Sequence, residues 1–373
     1  MGENLSPSWR RWIVYAGATL FIVVVGGFAG GVVAYAVHSS ENAGGAANPV
    51  TGANSPCSVT AVATKDLPSV VTVRAIGAPS ASGGVAGDTG SGEIIRSNGY
   101  IVTNNHVISI AATGGSVQVR FNDGTTAPAS IVGRDPLTDL AVLKASVAQT
   151  LPAIVLGSSG EVQIGEPVVV LGSPLGLSST VTSGIVSAVD RTINVPGENG
   201  QSAVLINALQ TDAAINPGNS GGALVDCAGK LIGVPSAGAT VPNESGQSSS
   251  GSIGLGFAIP VDVMMPIVDQ IIQTGKVAHA SMGLSAEPVP SDSSVRTGTS
   301  TGILVTSVIP NGPASRAGLQ AGDIMTTVSG KRATSTDQLV AITLTQKPGT
   351  SISVTYMRDG QQHSAVVILG AQP

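Results

Sequence analysis

The sequence is poor in charged and in aromatic side chains. Charged residues make up 10% and aromatic residues 3% of its 373 residues, whereas soluble proteins average about 25% charged residues. The formal net charge of −5 lacks the basic excess of a general nucleic-acid binder, so no nucleic-acid partner is expected. Apolar residues still make up 42% of the chain, which excludes an intrinsically disordered protein because a core can offset the ordering entropy.

Cysteine and histidine are also scarce. Two cysteines and four histidines are present, and no pair of cysteines forms a CxxC motif. These numbers exclude a disulfide-dense miniprotein, and the spacing offers no cluster of metal ligands. We therefore expect neither a metal nor a cofactor.

One long hydrophobic run lies near the N-terminus. Residues 12–37 carry no charge, two arginines precede them, and the first charge that follows is acidic. As a helix this run would be about 39 Å long, enough to span a bilayer. It predicts a single transmembrane helix after a cytoplasmic tail over 1–11, with the rest of the chain outside. The alternative is a signal peptide cleaved after Ala34–Ala36, although signal peptides have shorter apolar runs.

The residues after this run have the composition of a flexible linker. Residues 38–57 are rich in Ala, Gly, Asn and Ser and show no periodicity. Cys57 ends the linker, and the other cysteine is Cys227. On the outer side of a membrane the two form a disulfide in one interpretation and remain buried thiols in the other.

Short β-strand signals dominate the chain from Val59 to Val261. They are bounded by Asn-Gly, Asp-Gly and Gly-Gly turns, which predicts closed β-barrels or a sandwich. The clearest runs are Val70–Val73, Val117–Phe121, Ala141–Lys144, Val168–Gly172, Ala203–Ile206 and Ala223–Val225.

A helical pattern then follows and separates two parts of the chain. Asp262 is the predicted N-cap, apolar residues recur on one helical face, and Gly275 is the predicted end. The sequence therefore predicts a domain boundary near residue 279.

Three segments carry a His, an Asp and a Ser in that chain order. They are Val102–Val107, Asp135–Val142 and Asn216–Gly222. A serine hydroxyl becomes a nucleophile when a base lies within hydrogen-bond reach and a carboxylate orients that base. Each segment alone also suits an ordinary loop or cap, but the three together indicate nucleophilic catalysis by serine.

These motifs, with Gln210–Ile215 leading into the third, closely resemble the HtrA/Deg family of trypsin-like serine proteases. The resemblance runs from about residue 59 to the C-terminus, and the layout is similar to actinobacterial, membrane-anchored members. It implies a mainly β fold, with a trypsin-like double β-barrel protease domain over 58–279 and a C-terminal PDZ domain over 280–373, preceded by the single transmembrane helix.

The resemblance also implies roles for individual residues. His106 would be the general base, Asp139 its orienting partner and Ser220 the nucleophile. The amides of Gly218 and Ser220 would form the oxyanion hole, with Asn219 assisting.

The remaining titratable residues lack such support. His38, His279 and His363 are predicted to be solvated or packed side chains, and Asp135 has no motif support as the triad carboxylate.

Two binding regions follow from the same resemblance. Ile215, Ile253 and Leu255 would line a substrate pocket for a small aliphatic side chain, although core packing also explains them. In the C-terminal module, the amides of Met282, Gly283 and Leu284 would hold the terminal carboxylate of a peptide that adds a strand to the sheet. Ser281 departs from the family pattern, which has an aromatic residue there.

The predicted function is that of an ATP-independent, membrane-tethered serine endopeptidase of the cell envelope. Its expected partners are unfolded proteins or a regulatory membrane protein as substrates, C-terminal peptides at the PDZ domain, and two further copies in a homotrimer. A chaperone or peptide-binding scaffold is the alternative, but it would not need all three catalytic residue types. An esterase would use the triad but has no evident use for a PDZ domain.

Overall fold

The N-terminal region and several loops lie outside the part of the chain that can be described. The computed structural model describes residues 57–79, 84–173, 179–198, 202–238, 251–289 and 302–372. The predicted transmembrane helix over 12–37 therefore lies outside the described residues. Within the described ranges, no helix is long and apolar enough to cross a bilayer.

The first barrel forms from the strands that follow a short helix, α1 (Val59–Asp66). Its strands close in the order β1, β2, β3, β6, β5, β4. They are β1 (Val70–Ile76), β2 (Gly87–Arg96), β3 (Tyr100–Thr103), β4 (Ser116–Arg120), β5 (Thr126–Asp135) and β6 (Leu140–Ala145). A short helix, α2 (Asn105–Ile108), follows β3. Alternate apolar side chains, among them Val73, Ile94 and Leu143, fill the interior.

A second barrel forms from the next set of strands. They are β7 (Val155–Leu156), β8 (Pro167–Gly172), β9 (Thr180–Pro196), β10 (Ser202–Thr211), β11 (Ala223–Val225), β12 (Lys230–Gly238) and β13 (Gly256–Pro260). The sheet runs in the order β11, β8, β9, β10, β13, β12, and a further pairing of β11 with β12 closes it. A buried apolar cluster joins the two barrels, with Val102 and Leu140 from the first and Leu171 and Leu231 from the second. The predicted strand runs are thus confirmed.

The chain before the first barrel is fastened to the second barrel. A disulfide joins Cys57 to Cys227, whose Cα atoms are 5.1 Å apart. Cys227 lies in the turn between β11 and β12. Lys65 Nζ also donates to the carbonyl of Ala228, at 2.6 Å.

The predicted helix is confirmed as α3 (Val261–Thr274), but its start differs from the prediction. Pro260 occupies the N-cap position, and Asp262 lies in the first turn. The Asp262 carboxylate accepts from the amide of Gly160 at 2.8 Å, so it caps a neighbouring loop and not its own helix. The helix ends where expected, because Gly275 adopts the left-handed conformation with φ of 75°.

The C-terminal module has its own sheet and core. Its elements are β14 (Ala280–Ser281), β15 (Leu284–Pro288), β16 (Ile303–Val308), α4 (Pro313–Arg316), β17 (Ile324–Val328), β18 (Lys331–Arg332), α5 (Thr336–Thr345), β19 (Ser351–Arg358), β20 (Gln361–Ile368) and β21 (Gly370–Ala371). The main sheet runs β15, β16, β17, β19, β20, while β14 pairs with β21. Met325 and Val354 belong to a separate buried cluster under this sheet.

Candidate active site

Residues from two of the three motifs, those that contain His106 and Ser220, line one cavity in the described chain. Its volume is about 310 Å³. The lining residues are Asp88, Thr89, His106, Val107, Ile215, Asn216, Pro217, Gly218, Ser220, Ser236, Gly238 and Gly251. The cavity therefore contains the predicted base and nucleophile, and Asp139 lies behind the base.

His106 is held by one carboxylate through both its backbone amide and its ring. It lies on α2, directly after β3, and its backbone amide donates to Asp139 Oδ1 at 3.0 Å. Its ring Nδ1 lies 2.8 Å from Asp139 Oδ2. Because an ionised carboxylate only accepts, the neutral imidazole carries its proton on Nδ1 and keeps Nε2 as an acceptor.

Asp139 is buried, and both its carboxylate and its backbone carbonyl accept hydrogen bonds from residues around the site. It precedes β6 with φ of 58°, a left-handed conformation that Asp tolerates better than most residues. Its Oδ2 also accepts from Ser236 Oγ at 2.5 Å. Its carbonyl accepts from the amide of Asn105 at 3.1 Å and from Asn104 Nδ2 at 2.9 Å. This network orients the carboxylate toward the imidazole.

The electrostatic surroundings of His106 favour its protonated form. Burial disfavours the imidazolium, but the hydrogen bond to Asp139 and the negative charges of Asp139 and Asp88 outweigh this effect. The pKa of His106 is therefore raised above its ordinary value. A base of this kind becomes neutral, and able to accept a proton, only as the pH rises through that raised pKa.

The turn around Ser220 requires its glycines. Gly218 and Gly221 have φ of 98° and 81°, values that glycine adopts without steric cost. A Cβ at Gly221 would lie 2.3 Å from the carbonyl oxygen of Ser91, so the turn around Ser220 approaches β2 too closely for any side chain at position 221. Ser220 Oγ itself lies 3.4 Å from the carbonyl of Ser236.

Neither of the two amides predicted for the oxyanion hole donates within the described part of the protein. In the described chain the amides of Gly218 and Ser220 have no intramolecular acceptor, and both residues line the cavity. The amide of Asn219 donates instead to Asn216, at 3.0 Å. The Asn219 side chain is buried and donates to the carbonyl of Ala214 at 3.3 Å, so it points away from the cavity.

The predicted pocket residues separate into two groups. Ile215 is buried and lines the cavity. Ile253 and Leu255 are 45% and 39% exposed, and neither is among the described residues that line it. Gly238 and Gly251 are among the residues that line it. The prediction treated a glycine-punctuated segment as a regular strand, whereas β13 begins only at Gly256.

Ser236 and Asp88 are functional neighbours that the sequence alone did not indicate. Ser236 bonds to Asp139 across a separation of 97 residues, and Asp88 acts on His106 through charge alone. Neither lies in a motif that carries its role. Only the pairing of strands brings them to the site.

The other predicted histidines have different surroundings. His279 is buried, with Nε2 2.8 Å from Asp135 Oδ2. His363 stacks on Tyr356 with ring centroids 5.5 Å apart. His38 lies outside the described residues. Across the described ranges, no three His, Cys, Asp or Glu side chains group in a way that would hold a metal.

A second cavity lies in the C-terminal module, beside the predicted carboxylate loop. Its volume is about 210 Å³. The lining residues are Ala280, Ser281, Met282, Leu284, Ala286, Thr336, Leu339, Val340, Thr343 and Gln372. The cavity lies between β15 and α5, and β15 pairs only with β16 among the described strands. The amide of Gly283 donates to Ser281 Oγ at 3.0 Å.

Comparison with known protein families supports both modules. The trypsin-like peptidase domain model matches residues 90–234, and the PDZ domain model matches residues 280–369. The serine protease PepD of Mycobacterium tuberculosis is 40% identical over 377 residues, covering 97% of this chain and 78% of that protein. The periplasmic serine endoprotease DegP of Escherichia coli is 38% identical over 276 residues, covering 73% of this chain and 55% of that protein.

Solved structures give the same result. An HtrA-type protease, AlgW with decapeptide, has a TM-score of 0.69 and 33% identity, covering 85% of this chain and 99% of that one. The serine endoprotease from Yersinia pestis has a TM-score of 0.61 and 34% identity, and the match covers 86% of this chain and 100% of that one. The predicted trypsin-like and PDZ folds are thereby confirmed, and the chain belongs to the HtrA/DegP family of serine endopeptidases.

Proposed function

We propose that the chain is a membrane-anchored, ATP-independent serine endopeptidase of the cell envelope that acts through an acyl-enzyme. The observation that carries the proposal is the contact of His106 with the buried carboxylate of Asp139 at the cavity that Ser220 also lines. In this proposal the three residues act as base, orienting carboxylate and nucleophile.

The chemistry follows from the positions of these groups. Ser220 Oγ attacks the scissile carbonyl carbon while His106 Nε2 takes the hydroxyl proton. The carbonyl oxygen becomes an oxyanion that the amides of Gly218 and Ser220 stabilise. His106 then gives its proton to the leaving amine as the C–N bond breaks. Water repeats the sequence on the acyl-enzyme and releases Ser220.

The wall of the cavity supports a preference for small aliphatic side chains at the cleaved bond. Val107, Ile215 and Pro217 are the apolar side chains that line the cavity among the described residues, and Gly238 and Gly251 line it without a side chain. Asp88 and His106 are the only ionisable side chains that line the cavity among the described residues. We expect cleavage after Val, Ala or Ile in preference to Lys, Asp or Phe, as measured by kcat/KM across peptides that differ at this one residue.

The PDZ domain is proposed to bind the C-termini of substrates or regulators. The cavity beside Met282 and Leu284, and the edge position of β15, support addition of a peptide strand there. A labelled peptide with a free carboxylate should bind in fluorescence polarisation, and its C-terminally amidated counterpart should bind more weakly. Equal binding of the two would contradict recognition of the terminal carboxylate.

Cleavage of a permanently unfolded, fluorescently labelled protein by the purified full-length chain tests the enzymatic proposal. Ser220→Ala should lower turnover by about 10⁴–10⁶-fold, whereas Ser364→Ala, the same change at an exposed position of β20, should leave it unaltered. If the wild type alone does not cleave, peptides with free C-termini are added: cleavage that then appears indicates a gated protease. No cleavage even with these peptides, together with suppressed aggregation of a client protein, would favour the chaperone alternative.

Membrane attachment is proposed from the uncharged run over 12–37, which places the protease and PDZ domains outside the cytoplasm. Alkaline carbonate extraction of expressing cells should leave the full-length chain in the membrane fraction. Intact mass should show an uncleaved N-terminus, and a protein beginning near residue 37 would establish the signal-peptide alternative. A homotrimer, expected by family resemblance, predicts three times the chain mass by light scattering in detergent.

A further inference from the structure

Ser91 is a buried residue of β2 that none of the predicted roles used. It is fully inaccessible to solvent. Its backbone amide donates to the carbonyl of Ser220 at 2.8 Å. Its hydroxyl donates to the carbonyl of Gly218 at 2.5 Å. One residue of the first barrel thus holds both carbonyls that flank Asn219 in the nucleophile turn.

The direction of the hydroxyl hydrogen bond is fixed by its neighbours. The amide of Ser173 donates to Ser91 Oγ at 2.7 Å, and an amide can only donate. A carbonyl can only accept, so the Ser91 proton must point to Gly218. The Ser91 carbonyl is held too, by the hydroxyl of Thr103 at 2.6 Å. The arrangement therefore has one hydrogen-bonded state, with every polar group of Ser91 engaged.

This contact restrains the part of the turn that is intrinsically most mobile. Gly218 has no Cβ and a φ of 98°, so its flanking peptide units can rotate at small steric cost. Holding its carbonyl sets the orientation of the Gly218–Asn219 peptide unit. Holding the Ser220 carbonyl sets the Ser220–Gly221 unit, so Ser91 fixes the peptide unit on each side of the Asn219–Ser220 unit, which carries the Ser220 amide. The amides of Gly218 and Ser220 belong to the peptide units that adjoin the two held ones; they have no intramolecular acceptor in the described chain, and both residues line the cavity.

We propose that Ser91 is a positioning residue of the oxyanion hole, whose hydroxyl holds the Gly218–Asn219 peptide unit and thereby keeps the turn that carries the Gly218 and Ser220 amides in the arrangement that stabilises the tetrahedral intermediate. The inference rests on the proposed function of Ser220. Ser91 touches neither substrate nor reacting atoms, so its effect belongs to the transition state. Removing it misdirects a donor without deleting one, and the loss should be smaller than the 10²–10³-fold loss for a deleted donor.

Ser173→Ala supplies a matched control within the same network. The Ser173 hydroxyl contacts Thr72 Oγ1 at 2.5 Å, while its backbone amide is what bonds to Ser91. The control therefore deletes a buried serine hydroxyl one step away and leaves the bond from Ser91 to Gly218 intact. Thermal unfolding should show that both variants fold with similar losses of Tm.

The test measures kcat and KM separately for a chromogenic peptide amide, and the Ki of a peptide boronic acid, on the full-length chain. A boronic acid forms a tetrahedral adduct with Ser220 and places an oxygen in the oxyanion hole. Ser91→Ala should lower kcat by about 10–100-fold and raise the Ki by a similar factor. KM should change less than about twofold and the acid limb of the pH profile should not move. Ser173→Ala should keep both constants near wild type.

Two further variants keep the result decisive. Ser91→Thr retains the hydroxyl and should recover most of kcat. Ser91→Cys, close in size but with a weak S–H donor, replaces the alanine variant if that one does not fold, and should show the same selective loss of kcat. Unaltered kcat and Ki in Ser91→Ala, beside an active wild type, would overturn this inference alone. A wild type that cleaves nothing would overturn the proposed function and this inference with it.

Discussion

Two aspartates that lie four residues apart in the sequence each pair with a histidine, and the two pairs differ in their surroundings. Asp139 contacts His106, and Asp135 contacts His279, with the same 2.8 Å separation of nitrogen and oxygen. Both carboxylates are buried. The His106 side chain is 39% exposed and lines the cavity with Ser220, whereas that of His279 is 6% exposed. A buried carboxylate beside an imidazole is therefore insufficient to mark a catalytic base, and what separates the two pairs is the access of His106 to the cavity that the proposed nucleophile, Ser220, also lines.

The position of the second pair explains what it does. Asp135 ends β5, and its carboxylate also accepts from the hydroxyl of Thr138 and from the amide of Leu137. His279 lies just before β14, and its carbonyl accepts from the amide of Gln372 at 2.8 Å. The pair fastens the start of the PDZ module to the segment that ends at Asp139, which is a structural role.

The largest expected effect is the loss of catalysis when the first pair is altered. Asp139→Asn should lower kcat by about 10⁴-fold, because an amide no longer holds the Nδ1-protonated tautomer. Asp135→Asn makes the same change at the second pair and should leave kcat within about threefold of wild type. Steady-state kinetics on one peptide substrate measures both, and equal losses would contradict the separation of roles.

Stability should respond in the opposite order. His279→Ala leaves Asp135 buried without its main partner, which should lower the free energy of unfolding by about 3–5 kcal/mol. His106→Ala empties a half-exposed position, and Asp139 keeps Ser236 and the backbone amide of residue 106. Its cost should be about 1 kcal/mol. Denaturant unfolding of the two variants beside wild type gives the comparison, and a larger loss in His106→Ala would reverse the assignment.

A third buried carboxylate shows the effect of having no partner. Glu93 on β2 is fully buried, and neither carboxylate oxygen has a hydrogen-bond partner among the residues that the structure describes. Burial raises the pKa of Glu93 well above its ordinary value. The unfolded chain then loses this proton at lower pH than the folded chain, so stability falls as the pH rises from the unfolded pKa toward the folded one.

Substitution of Glu93 should therefore stabilise the protein. Glu93→Val should raise the free energy of unfolding by about 1–3 kcal/mol at pH 8, because two unsatisfied oxygens are removed. Glu93→Gln should abolish this part of the pH dependence while keeping the shape. Glu287→Gln, at an exposed position, is the control and should change neither. Chemical unfolding at pH 5 and pH 8 would contradict the prediction if Glu93→Gln kept the wild-type slope.

The smallest expected effect concerns charge near the first pair. Asp88→Asn removes one of the charges that raise the pKa of His106. The acid limb of kcat/KM should move to lower pH, since the base becomes neutral earlier, and activity at pH 6 relative to pH 8 should increase. Asp359→Asn, in an exposed turn of the PDZ module, should not move the limb. A shift to higher pH would contradict the electrostatic account.

The sequence predicted the features that depend on neighbouring residues. Strand runs, the end of α3 at Gly275 and the glycines around Ser220 all follow from local propensity and backbone sterics. The residues it did not indicate depend on distant contacts. Ser91 meets Gly218 across a separation of 127 residues, and Ser236 meets Asp139 across 97. A single sequence does not reveal which serine a folded chain will bring to a carbonyl or a carboxylate.

The central claim is that Ser220 is a nucleophile activated by His106, which Asp139 orients. Covalent labelling tests it most directly. The full-length chain would be treated with a serine-directed fluorophosphonate and mapped by peptide mass spectrometry. We predict one adduct, on Ser220, that forms far more slowly in His106→Ala and is absent in Ser220→Ala. Labelling at another serine, or equal rates in His106→Ala and wild type, would contradict the account.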